Sequence, residues 1–239
     1  MAATPSSSVD IDSSRLRLVT TLITPPRRRG FEYLDAPGVD PRLVRRSLAD
    51  VALANALFGG TRAVLLELGD VLPELDSNAT LLDVGSGVGD IAARARELAR
   101  QQRVDLSLIT IDMAETLAVA SRARTGNAVR GNAAALPFAD RSVDVVMCSQ
   151  TLHHFDDTSA ARVLKELDRV ARIRVIISDL RRSWFAAAGL WLASFPLGFH
   201  PVSRHDGVVS IMRGYTSDEL RRLEEVDDQP GDAPRRAVG

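Results

Sequence analysis

Leu81-Leu82-Asp83-Val84-Gly85-Ser86-Gly87-Val88-Gly89-Asp90-Ile91-Ala92 is the stretch on which the fold turns. The apolar run from Ala79 to Val84 has the length and composition of a buried strand. It breaks into three glycines at alternate positions, and an Ala- and Arg-rich segment of helical character follows at once. Glycine lets the backbone turn tightly and lets a ligand lie against the main chain. The first turn of the helix behind it offers unpaired N–H groups and the positive end of a dipole. Strand, glycine turn and helix start together make a cradle for a nucleotide-like ligand.

Working outward, the pattern alternates strand and helix. Strands are expected at 79–84, 106–111, 128–130, 143–148 and 173–177, with helices between them over about 90–102, 113–124 and the segment carrying Val163, Leu164, Leu167 and Val170. Such alternation predicts an α/β, Rossmann-like, doubly wound and mostly parallel sheet with helices on both faces. Right-handed crossovers put every strand's carboxyl end along one edge, where ligands bind. Gly85, Asp112, Asn132, Gln150 and Asp179 all follow strand carboxyl ends.

Two amphipathic helices precede the first strand. Asp40-Pro41 is an N-cap followed by proline at the first helical position. The helix it opens carries Val44, Leu48, Val51, Ala52 and Asn55 on one face and stops at Gly59-Gly60. A second, from Thr61, turns Val64, Leu65, Leu68 and Leu72 inward and stops at Pro73. The expected organisation is a tail over 1–14, an N-terminal helical cap over 15–76, a catalytic-type domain over 77–226 with a cap insert at 180–215, and a flexible tail over 227–239. The basic cluster Arg27-Arg28-Arg29 reads as a solvated loop.

Composition narrows the function. The 239 residues carry a formal net charge of −1, without the basic bias of a nucleic-acid binder. Cys148 is the only cysteine, so no internal disulfide forms, which fits a reducing compartment. The first twelve residues lack the apolar core of a signal peptide. The longest apolar stretch, Trp184–Phe199, falls short of the ~20 residues that span a bilayer. The expected protein is cytoplasmic, without stable membrane insertion.

The glycine turn admits three ligands. A phosphate-binding P-loop needs a lysine that is missing here, and a dinucleotide turn needs Gly-x-Gly-x-x-Gly where this chain has Gly-x-Gly-x-Gly. Asp83, two residues before the first glycine, would repel a pyrophosphate. S-adenosylmethionine has an ammonium and a sulfonium and no phosphate, and fits better. Asp112 is placed to accept hydrogen bonds from two ribose hydroxyls.

Leu82–Asp90 resembles the glycine motif of class I S-adenosylmethionine-dependent methyltransferases. Arg130-Gly131-Asn132-Ala133-Ala134-Ala135-Leu136-Pro137-Phe138-Ala139-Asp140-Arg141-Ser142-Val143-Asp144-Val145-Val146 resembles a second motif of that family. With Leu152-His153-His154-Phe155 the chain is most similar to the branch that contains ubiquinone/menaquinone-biosynthesis and small-molecule tailoring methyltransferases. The resemblance runs over about residues 79–180. It implies that Asp83, Gly85, Ser86, Gly87 and Gly89 hold the methionine end of the cofactor. It further implies that Asp112 binds the ribose, Met113 packs on the adenine, Asn132 and Ala133 meet its edge, and Gln150 closes the pocket. Two departures stand out. Asn132 replaces the family's acid, and the family's sixth and seventh strands, a final antiparallel hairpin, are missing or badly shortened. An uncovered sheet edge would leave a surface for a second copy of the chain, as a homodimer.

Methyl transfer is an in-line displacement that gains from holding the acceptor close. An oxygen or carbon acceptor also profits from a base. His153 and His154, after the fourth strand, and His205, beside Asp206, are the candidate bases; each also reads as a packing or loop residue. Asp179 and Arg181-Arg182 are candidates to orient the acceptor. No metal site is expected. Trp184–Phe199, apolar nearly all round, reads as a buried helix, as core or as the wall of a pocket for a hydrophobic, phenolic or quinone-like small molecule. The expected activity is O- or C-methylation of such an acceptor. The alternative is a protein that binds the cofactor without methylating.

Overall fold

The computed structural model describes residues 24–36, 38–225 and 235–238. The expected tail 1–14, the start of the cap at 15–23 and most of the tail expected at 227–239 lie outside the described residues.

Strand β1 (Asn78–Val84) sits at the centre of the sheet, and the chain winds outward from it in both directions. β2 (Asp105–Asp112) and β3 (Ala128–Arg130) lie on one side. β4 (Val143–Ser149), β5 (Ala171–Ser178) and β6 (Arg235–Val238) lie on the other. The order is β3-β2-β1-β4-β5-β6, and every neighbouring pair is parallel. The first five strands stand where periodicity predicts them. β6 corrects the sequence reading by forming within the stretch expected to be a flexible tail. Paired only with Arg174–Ile177 of β5, it is a badly shortened strand at that edge, as the sequence predicts. The described residues contain no antiparallel hairpin at that edge.

Both faces of the central strands are apolar, as a parallel sheet covered on two sides requires. On β4, Val145 and Met147 enter the core layer with helices α2 (Gly60–Val71) and α3 (Asp90–Gln101). Val146 and Cys148 enter the layer on the opposite face, with α5 (Asp157–Val170). Between them α4 (Glu115–Thr125) is tied to β2 by a buried hydroxyl chain, Thr110 Oγ1 lying 2.9 Å from Ser121 Oγ. The Leu136–Asp140 segment, part of the second family-like motif, is a structural clasp. Leu136 N donates to Glu166 Oε2 at 2.6 Å, and the Arg169 guanidinium donates to the carbonyls of Leu136 and Phe138.

The cap has four parts. Helix α1 (Pro41–Leu57) opens on the Asp40 cap and Pro41. α6 (Trp184–Ala193) and α7 (Pro201–Arg213) follow β5. A strap over residues 24–35 crosses them. α1 and α7 are joined through buried polar groups, since Ser203 Oγ donates to Asp50 Oδ2 at 2.8 Å and His200 N donates to the same oxygen at 2.9 Å. Arg27 does not lie in a solvated loop. It donates to the carbonyls of Arg213 and Phe155, pairs with Asp157 at 2.9 Å and stacks on Tyr215.

The apolar insert departs most from expectation. Helix α6 buries Ala187, but Phe185 is 73% exposed, and Trp184, Trp191, Leu192 and Phe195 also face outward. Ala187 and Leu190 pack inward against Ile211 and Met212, and the aromatic residues do not. Among the described residues no single helix is long and apolar enough to cross a membrane.

Candidate active site

The strand carboxyl ends and the cap enclose one cavity of about 1250 Å³. Its floor is the glycine turn. Gly85 and Ser86 donate their amides to the Ile111 carbonyl, and Gly87 donates to Asp112 Oδ2 at 3.0 Å. Gly85 has φ +72°, and a Cβ there would stand 2.1 Å from Thr151 Oγ1, so no larger residue fits. Asp112 also accepts from Ala114 N at 2.9 Å. Burial raises its carboxyl above the usual range while the Ala114 and Gly87 amides hold it down.

Asp83 lies beneath this turn, 3% exposed. Its burial, with the nearby charges of Asp90 and Asp112, pushes its carboxyl up to about 8. None of the three carboxylates has an ion-pair partner among the described residues. The hydroxyls of Ser86 and Ser149, both on the cavity wall, are buried without a hydrogen-bond partner. Unsatisfied buried polar groups are costly, and these are available to a ligand. A buried acid, a ribose-type acceptor and two free hydroxyls around a turn whose Gly85, Ser86 and Gly87 amides are already bonded within the protein fit S-adenosylmethionine.

Met113, 58% exposed, Ala133 and Gln150 also line the cavity. Gln150 sits in the left-handed region with φ +51°, takes the Ser178 carbonyl on its amide and donates its side chain to Asn55 of α1. Two expected cofactor residues lie off the cavity. Asn132 is exposed, with Oδ1 accepting from Ala134 N at 2.9 Å, so its side chain closes its own turn. Gly89 starts α3 with φ +72°, and a Cβ there would press on Ser121 of α4 at 3.1 Å; it serves helix packing.

The far end of the cavity is polar. His153 is buried, with Nδ1 2.6 Å from Asp179 Oδ1, and its own amide donates to Asp179 Oδ2 at 2.9 Å. Burial alone would lower the imidazole's pKa; the Asp179 carboxylate outweighs it and raises it. The same pairing keeps Asp179 ionised below the usual carboxylate range, against its burial. Asp179, which also lines the cavity, therefore holds His153. The His154 ring stacks 4.2 Å from that of His153. Burial, then the His153 charge, brings His154 down to about 4. His205 is not in the cavity wall. Its Nδ1 lies 2.9 Å from Asp206 Oδ1, its ring meets Tyr33 edge-on, and it faces outward. Arg182 is likewise structural, donating to Pro25 O, Gly214 O and Glu219. Arg181 lines the cavity.

Sequence reading missed the strap. Asp206 accepts from the amides of Tyr33 and Leu34, and Arg213 donates to Glu32 Oε1 at 2.8 Å, which brings Glu32, Leu34 and Asp35 into the cavity. No periodicity marks such a segment. The His153–Asp179 pair did have a signal, because β4 and β5 are parallel neighbours and the residues after them must meet. The wall between floor and polar end is the Val44, Leu48, Val51, Ala52 and Asn55 face of α1, with Ala186, Gly189 and Leu190 from the inner side of α6.

Residues 82–177 match the methyltransferase domain family. Among curated relatives, the uncharacterised protein YafE of Escherichia coli is 31% identical over 90 residues, 37% of this chain and 42% of YafE. The biotin biosynthesis bifunctional protein BioHC of Cellvibrio japonicus is 30% identical over 166 residues, 62% of this chain and 31% of BioHC. The chain thus spans less than half the length of these relatives. A solved S-adenosylmethionine-dependent methyltransferase of Thermotoga maritima is 19% identical, with a TM-score of 0.49, 77% of this chain and 79% of that one being covered. The chain carries, over residues 82–177, a methyltransferase domain of the class I family whose methyl donor is S-adenosylmethionine.

Proposed function

We propose that this protein methylates a small apolar or aromatic molecule, on oxygen or on an acidic carbon, with S-adenosylmethionine as donor. The observation that carries the reading is Asp83, a buried acid with no counter-ion among the described residues, under a glycine turn that opens into a cavity with an apolar wall. The cofactor, when bound, supplies a methyl group activated on a sulfonium. Asp83 and the Ser86 hydroxyl would hold its amino-acid end, and Asp112 would orient the ribose.

The acceptor is held in line by the α1 and α6 walls, and such positioning accounts for much of the acceleration in a displacement. His153, its tautomer fixed by Asp179, has Nε2 for the proton of an acceptor hydroxyl. The non-methylating alternative rested on missing C-terminal strands and on Asn132. β6 adds one short strand beside β5, and Asn132 lies off the cavity, which weakens both grounds.

The test is turnover. Purified protein, S-adenosylmethionine and a panel of phenols, quinols and apolar alcohols are assayed for S-adenosylhomocysteine. Formation that depends on one acceptor class, and that falls at least tenfold in Leu48→Asp, supports the reading. Cofactor binding without product across the panel would overturn it.

A further inference from the structure

We propose that Glu32, His153 and His154 form a binding site for one divalent transition-metal ion at the polar end of the cavity. Each of the three offers a ligand atom, and these atoms lie within 4.8 Å of one another. All three residues line the cavity, on the side where an acceptor would sit.

The chemistry of the donors selects the ion. Two imidazoles and one carboxylate suit zinc, cobalt or iron, whereas magnesium and calcium prefer oxygen alone. Three protein ligands leave a coordination position open to a water or a bound oxygen, as in catalytic zinc sites. The supporting contacts are those a metal ligand requires. Asp179 takes His153 Nδ1 at 2.6 Å, which fixes the ring and leaves Nε2 as the ligand nitrogen. Glu32 is held through Oε1 by Arg213 at 2.8 Å and Ser210 at 2.9 Å, and neither uses its second oxygen.

Charge points the same way. The carboxylates of Glu32, Asp35 and Asp179 surround the two rings, with Arg213 paired to Glu32 and Asp35. A further cation balances them. Metal–nitrogen bonds of about 2.0–2.1 Å require the ligand atoms to close in by roughly 1 Å. His154, half exposed on a short turn, and Glu32, on the strap, are the two that can move.

An ion on His153 Nε2 takes the place of that nitrogen as the acceptor's base, and its binding is measured without donor or acceptor. Metal-free full-length protein is titrated with cobalt(II), read by visible absorption, and with zinc(II), read by calorimetry. The expected result is one ion per chain, bound at least tenfold more weakly by His154→Ala and by Glu32→Gln, and unchanged in His200→Ala and His205→Ala. Both test variants are checked for the wild-type melting temperature and for S-adenosylhomocysteine binding, so that lost ion binding is not misfolding. No ion bound, or binding indifferent to His154→Ala and Glu32→Gln, would overturn the proposal. Failure of the methyltransferase reading would instead show as no S-adenosylhomocysteine formed across the acceptor panel with the ion site intact.

Discussion

Asp83 ties the sequence to the site at the level of one carboxyl group. Its folded pKa, about 8, is raised above the ordinary 3.8, so its contribution to stability is full at low pH and is lost as pH rises towards 8. A cationic ligand favours the ionised form, so binding at pH 7 expels a proton. Asp83→Asn should therefore melt higher than the wild type at pH 8 while binding the cofactor more weakly. Calorimetry at pH 7 in buffers of different protonation enthalpy should detect a released proton for the wild type and none for Asp83→Asn. Equal proton release by both would remove Asp83 from the site. Asp83, Gly85 and Asp112 were legible in the sequence because local chain direction at a strand end decides where they point. Asn132 and Gly89 misled for a related reason: a turn residue can satisfy its own backbone, or a neighbouring helix, at the same spacing.

Helices and straps depend on contacts across long sequence separations, and there the sequence said less. The face of α1 was correctly expected from its 3.6-residue period, and it lines the cavity. Helix α6 has no polar face, so periodicity could not say which side turns inward. Ala187 and Leu190 do, and its aromatics stay exposed. The sequence offers Arg182 as an arginine that orients the acceptor. It instead anchors the start of the strap, at Pro25, to Gly214 and to helix α8 (Ser217–Glu225). Burial works to raise the carboxyl of Glu219, but Arg182 and the Thr216 amide bring it down to about 2. This depressed value means that the pair's stabilisation is present above the ordinary pKa of 4.5 and is lost as pH falls from there towards 2. Arg182→Ala should cost about 3 kcal/mol at neutral pH, since it leaves a half-buried carboxylate unpaired. Glu219→Gln should flatten the acid limb. Urea unfolding between pH 3 and 7 measures both; an acid limb unchanged in Glu219→Gln would refute the assignment.

For the whole molecule, the alternation of strand and helix was enough to place five strands and the edge at which ligands gather. It could not supply β6, whose residues Arg235–Val238 show no alternation and join the sheet only by pairing beside β5. Nor could it foresee that α1, α6, α7 and the strap would close over the sheet into one cavity, which depends on Asp50, Asp206 and Arg213 finding partners far along the chain. The central claim is that this cavity holds S-adenosylmethionine through the glycine turn and Asp112. Calorimetric titration with S-adenosylhomocysteine tests it most directly. One molecule should bind per chain, with NAD giving no heat, and Asp112→Ala should weaken binding by at least tenfold, about 1.4 kcal/mol. No binding by the wild type, or equal binding by Asp112→Ala, would contradict it.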